Sequence, residues 1–361
     1  MRLKLLITLF SLCAYFMTDG LVHAQSSGQS RDKYTLLTIP YNNRQLTMYR
    51  GEFQALAGYK FSVRTRLFGP EGNLITLMKQ GAGSVYHYYF VNLRYGLTNF
   101  MEISAETNFL RKGIREETQT YRPVSISNSD VVTVNKFSEF KGMGDILLKA
   151  TIRLPVEYKW FDLSATGGLF VPSSKFEPQQ PANTLTDITA ANSYTVNYQY
   201  KFKNGYGVPV YIVAANMKFR IHTFTGEVAY AFRTPMKEGT NIRWDETLVD
   251  KTFAYSNDSY LFLLSNSHTV DASVHYQATG WFDLYLNANY QETAGGWTEY
   301  YGKKYENRQT SLVSIEPGFE LQISPSLKIF QVAGFPVKGK SSDAPFYLFT
   351  TLSFSNFPFL R

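Results

Sequence analysis

Side chains along most of this sequence alternate with a period of two. From Phe282 to Gln291, Phe282, Leu284, Leu286, Ala288 and Tyr290 fall on one side of an extended chain, while Asp283, Tyr285, Asn287, Asn289 and Gln291 fall on the other. From Val270 to Ala278, Asp271, Ser273, His275 and Gln277 oppose Val270, Ala272, Val274, Tyr276 and Ala278. Successive Cβ atoms of a strand point to opposite faces, so each run reads as a strand with one apolar and one polar face. Similar runs cover Phe53–Val63, Met101–Phe109, Ile146–Leu154, Leu163–Val171 and Val313–Ile323. Phe346–Phe354 alternates more weakly, because Tyr347 and Phe349 fall on its polar set.

The links between these runs alternate as well. Short ones fall near Gly96–Asn99, Pro155–Lys159, His222, Thr279–Gly280 and Ser324–Ser326. Long polar ones fall near Phe68–Gly83, Arg111–Lys141, Pro172–Val208, Thr234–Ser267, Gly295–Arg308 and Val337–Asp343. A transmembrane barrel with short periplasmic turns and long external loops predicts this order, whereas a soluble β-sandwich has no reason to sort its links. Composition agrees. Aromatics are 16% of the chain, yet mean hydropathy is −0.22, because apolar residues are dispersed among polar ones. Beyond the N-terminus no segment approaches the roughly 18 consecutive apolar residues of a membrane-spanning helix. The fold expected is all-β: a transmembrane antiparallel up-and-down barrel of about twelve strands, with both termini periplasmic because that number is even.

Arg2 and Lys4 precede an apolar stretch from Leu5 to Met17, and Val22-His23-Ala24 supplies a small-residue cleavage pattern. Residues 1–24 therefore read as a signal peptide, 25–45 as a disordered or loosely docked periplasmic extension, and 46–361 as the barrel. Cys13 is the only cysteine and leaves with the leader, which excludes disulfides and thiolate metal sites from the mature chain. The net charge of +7 is spread out, with no nucleic-acid footprint. Basic residues on external loops are instead placed to meet anionic lipid headgroups. The surroundings expected are the outer membrane of a Gram-negative bacterium, its lipid and lipopolysaccharide, the outer-membrane assembly machinery and a small-molecule permeant.

With lipid outside, the apolar sets face out and the polar sets line the lumen. The inner set is Lys60, Arg64, Arg94, Glu102, Glu106, Asp145, Lys149, Arg153, Asp162, Glu227, Arg233, Asp271, His275, Asp283, Asn287, Glu316 and Glu320. Charges of both signs there either pair across strands as structure or form polar stripes along a permeation path. Glu102, Asp162 and Asp283 each lie just inside a short turn, and Arg94 and Arg153 end the preceding strands. Arg94–Glu102 and Arg153–Asp162 are thus expected as pairs, while Asp283, opposite neutral Gln277, is expected to stand unpaired. Trp160-Phe161-Asp162-Leu163 and Trp281-Phe282-Asp283-Leu284 share one register, with the Trp in the aromatic belt at the membrane boundary.

Catalysis has little to work with. The histidines remaining after the leader are His87, His222, His268 and His275, and none stands in a Gly-x-Ser-x-Gly or His-Glu-x-x-His context. No enzyme activity, cofactor or metal is expected. Leu93-Arg94-Tyr95-Gly96-Leu97-Thr98, then Gly142-Met143-Gly144-Asp145 running into Leu147 and Lys149, resemble the phenol meta-degradation (MetA-type) family of outer-membrane transporters. Pro172-Ser173-Ser174-Lys175 is similar to that family's proline-threonine-glycine turn, without the glycine. The resemblance implies a porin-like role or passive uptake of hydrophobic or aromatic compounds, and names no substrate. The rival functions are a surface-interaction barrel with a blocked lumen and, further off, a membrane-embedded lipid-modifying enzyme. In local terms, Gly96 suits a turn needing positive φ, and Gly142 and Gly144 let the chain bend as Asp145 enters the barrel.

Overall fold

The computed structural model describes residues 47–77, 83–115, 119–121, 131–154, 160–173, 178–188, 193–202, 207–249, 252–324 and 326–356. The expected leader with Cys13, the 25–45 extension, the Pro155–Lys159 turn, Ser174, Lys175 and part of the Arg111–Lys141 link lie outside them.

Twelve strands form the wall. They are β1 Phe53–Arg64, β2 Gly83–Gly96, β3 Met101–Arg115, β4 Ile146–Leu154, β5 Phe161–Val171 and β6 Val210–Ile221. There follow β7 Phe224–Pro235, β8 Asn266–Gln277, β9 Phe282–Ala294, β10 Thr310–Ser324, β11 Leu327–Lys340 and β12 Phe346–Asn356. Each pairs antiparallel with the next, and β12 returns to β1 from Phe53↔Asn356 to Val63↔Phe346. Closure satisfies every strand edge, the condition for sitting in lipid without water. Near its far end β3 leaves β4 and pairs with Val131–Met143, the stretch that leads into β4. Gly142 makes that junction with φ of 150°, a conformation that side chains rarely adopt.

The faces are those the alternation requires. Leu284 and Leu286 are 46% and 53% exposed, whereas Asp283 and Asn287 on the same strand are 8% and 3% exposed. The outer surface is apolar because its solvent is hydrocarbon. Trp160, Trp281, Phe100 and Phe224 are exposed at the short-turn rim, where amphipathic rings mark a membrane boundary.

The long links carry structure of their own. The 234–267 link rises as a hairpin, Gly239–Val249 with Thr252–Leu263, and Trp297–Tyr300 with Lys303–Glu306 extends the same small sheet. Ser193–Phe202, in the link after β5, pairs parallel with Val131–Met143 and prolongs the wall. One expected long link is a short one: β11 runs on to Lys340, so Val337–Asp343 is mostly strand, and the chain turns at Ser341 with φ of 49°.

Candidate functional site

The lumen has two layers. At the short-turn end, side chains within a few residues of the strand ends form a charged layer. Arg94 donates from Nε and Nη2 to Glu102 at 2.8–3.1 Å and from Nη1 to Gln54 Oε1 at 3.0 Å. Arg153 lies 3.6 Å from Asp162, which is also bridged by Arg220. Lys328 bridges Glu320, and Lys218, 2% exposed, stands across from Glu227 on one side and Asp162 on the other. Both expected ion pairs are therefore formed. Asp283 is buried between neutral Gln277 on β8 and the acid Glu320 on β10, whose own base is Lys328. The bases Arg94, Arg153, Lys218, Arg220 and Lys328 are thus interleaved with the acids Glu102, Asp162, Glu227, Asp283 and Glu320 around the layer.

The chain before β1 completes this end. Thr47, Met48 and Glu52 are buried, and the Met48 amide donates to Glu102 Oε2 at 2.9 Å. Gly51 and Glu52 exchange backbone hydrogen bonds with Gly96. Gly96 is accordingly required for a different reason from the one expected. Its φ is not positive; a Cβ there would lie 1.9 Å from the Tyr49 carbonyl oxygen.

Above the charged layer lies a cavity of about 630 Å³ to which six aromatic residues contribute: Tyr86, Tyr88, Tyr285, Phe330, Tyr347 and Phe349. Lys60 Nζ sits 3.5 Å over the Tyr347 ring, a cation–π contact. Glu316 accepts hydrogen bonds from Tyr347, Asn287 (3.0 Å) and Ser314 (3.2 Å). Asp271 accepts from Asn287 at 3.3 Å and Asn289 at 2.6 Å. His275, 6% exposed, packs its ring 4.6 Å from that of Tyr285. Across the lumen Leu147, Phe170, Val210 and Ile212 form a buried apolar cluster, with the Arg233 guanidinium 5.5 Å over Phe170.

The remaining inner-set residues are tied into the wall. Lys149 lies 3.6 Å from Glu106, which also takes a 2.9 Å bond from Asn92. Arg64 bridges Asp343 at 2.6 Å, and Asp145 accepts from the Ser173 amide at 3.2 Å. Sequence reasoning missed Lys218, Arg220, Lys328 and Asp343, and it did not single out the aromatic cavity. Lys218 and Arg220 share the interior parity of β6 with Ile212, so the period-two test applied to Val210–Ile221 would have found them. Among the described residues, no group of three or more His, Cys, Asp or Glu side chains is placed to hold a metal ion.

No family model matches the sequence, and no curated protein matches it. Similarity is structural. The COG4313 outer membrane channel from Pseudomonas putida F1 superposes with a TM-score of 0.57 at 10% identity, covering 88% of this chain and 99% of that one. This chain folds as an outer-membrane β-barrel. The CymD monoaromatic hydrocarbon channel (TM-score 0.40, 8% identity, 86% of this chain and 89% of that one) is more distant. So is the KdgM porin with oligogalacturonate (TM-score 0.36, 6% identity, 83% and 98%).

Proposed function

We propose that the protein is a passive outer-membrane channel for small, partly aromatic molecules, of the kind its resemblance to the phenol meta-degradation transporters implies. The observation that carries this reading is the lumen. An aromatic-rich cavity with one lysine and three hydrogen-bonded carboxylates (Asp271, Glu316, Asp343) offers ring-stacking surface and a few polar contacts, the mixture that favours planar, partly polar solutes. The fold it shares with an outer membrane channel supports the same reading.

In this reading residues 1–24 are removed, 25–45 lie in the periplasm, and the short-turn rim with both barrel termini faces the periplasm. The inner set from Lys60 to Glu320 lines the path, and the wall meets outer-membrane lipid. Proteoliposomes decide among the rivals. The channel reading expects uptake of benzoate or phenol to exceed that of a hexose, together with discrete conductance steps in a planar bilayer. A blocked interaction barrel gives neither. Hydrolysis or acyl transfer on added phospholipid would instead support the enzyme.

A further inference from the structure

On the outer surface, away from the lumen, three basic side chains stand side by side. His87 on β2 is directly opposite Arg111 on β3, and Arg111 directly opposite Lys141 in the Val131–Met143 segment. The outward row one step nearer the short turns is Tyr59, Tyr89, Phe109 and Met143, of which Tyr89, Phe109 and Met143 are 39–48% exposed. His87 lies as far from the end of β2 at Gly96 as His268 lies from the end of β8 at Gln277. At about 3.3 Å per residue and a strand tilt near 40°, that is roughly 23 Å from the short-turn end. An apolar band is about 25 Å tall, so the row sits at its far boundary.

We propose that this patch binds a phosphate group of lipopolysaccharide, held by Arg111 and Lys141 beside His87. The inference rests on the reading above that the long-link rim faces the cell exterior, where the anions at this depth are lipid A phosphates.

The chemistry fits that ligand. The Arg111 side chain is 64% exposed and, among the described residues, its ion pair is a single 3.4 Å contact from Nε to Glu139, so most of its five donors face outward. Lys201 is the parallel-strand neighbour of Glu139 and is exposed, so among the described residues basic charge outweighs acid around the patch. Tyr59 Oη, 2.9 Å from His87 Nδ1, fixes the imidazole at the edge of the apolar surface. The opposite wall shows that this is a local feature and not a uniform girdle. There Tyr230 Oη meets His268 Nδ1 at 2.8 Å in the same manner, but the next strand carries Glu292 where Arg111 stands here.

The test is binding of fluorescent rough lipopolysaccharide to the folded full-length barrel in neutral detergent, with folding checked by heat-modifiable mobility. Arg111→Gln/Lys141→Gln should weaken binding about tenfold, whereas Glu139→Gln, which frees Arg111, should tighten it. Glu292→Gln on the far wall should leave it unchanged. Lipopolysaccharide stripped of its lipid A phosphates should bind wild type as weakly as the intact lipid binds the double variant. If the double variant folds poorly, Lys141→Gln alone carries the comparison. Equal binding by wild type and the basic-to-neutral variants, or indifference to the lipid A phosphates, overturns the proposal. Solute uptake by the same variants is scored separately, so loss of this site leaves the channel reading standing, and loss of uptake leaves this site standing.

Discussion

At the scale of single residues, the charged layer distinguishes groups that hold the barrel from groups that bias what passes. Glu102 is 4% exposed and is the common acceptor for Arg94 and the Met48 amide. Removing one member of a buried pair leaves the other charge uncompensated, at a cost of about 3–5 kcal/mol. Glu102→Gln should therefore lower unfolding stability in detergent by about that amount, read from urea titration, with little effect on ion selectivity. Asp283 is the contrasting case. It has no base directly opposite it, so Asp283→Asn removes a negative charge from a layer of mixed charge without breaking an ion pair. If ions pass this layer, reversal potentials under a salt gradient should shift toward anions, and an unchanged potential would remove Asp283 from the path. Sequence could identify the pairs because each joins strands that flank one short turn. It could not identify the Gly96 requirement, which comes from the chain at Tyr49 passing against it, a contact made only in three dimensions.

At the scale of elements, period two was enough to place strands but not to say how far they run. Ile146–Leu154 is read from the sequence with the bounds it has in the structure, because polar Gly144-Asp145 and the following turn delimit it. The apolar alternation of β3 ends at Phe109, yet the strand continues to Arg115, because beyond the hydrocarbon its outward positions turn polar. The hairpin at Gly239–Val249 and Thr252–Leu263 is hidden for the same reason: outside lipid, a strand tolerates polar residues on both faces. Within the band the faces are testable. Leu286 is 53% exposed toward lipid, so Leu286→Arg should weaken folding into bilayers by about 2–4 kcal/mol near the midplane. Asn289→Lys, beside Asp271 on the interior, should cost far less, because the new cation gains a carboxylate partner. Similar losses at both positions would mean the register is off by one residue, since such a slip exchanges the faces.

At the scale of the whole molecule, the sorting of links separates two rims, and the proposed orientation puts the short-turn rim in the periplasm. β1 begins and β12 ends at the rim that carries the Gly96–Asn99 and Thr279–Gly280 turns, as Phe53↔Asn356 shows, while the hairpins rise from the other. Trp160 and Trp281 mark the short-turn boundary, and the rows through His87 and His268 mark the far one. A barrel that exports its termini through the membrane would reverse this, so orientation can be read with single cysteines. The chain carries one, Cys13, inside the expected leader, so the mature wild type should take up no thiol reagent. Tyr301 is 76% exposed at the tip of the 297–306 hairpin, whereas Thr279 sits in a short turn. Tyr301→Cys should therefore react with a membrane-impermeant maleimide on intact cells, and Thr279→Cys should react only after the outer membrane is permeabilised. Labelling in the reverse order would place the long-link rim in the periplasm, and the basic row through Arg111 and Lys141 would then face phospholipid instead of lipopolysaccharide.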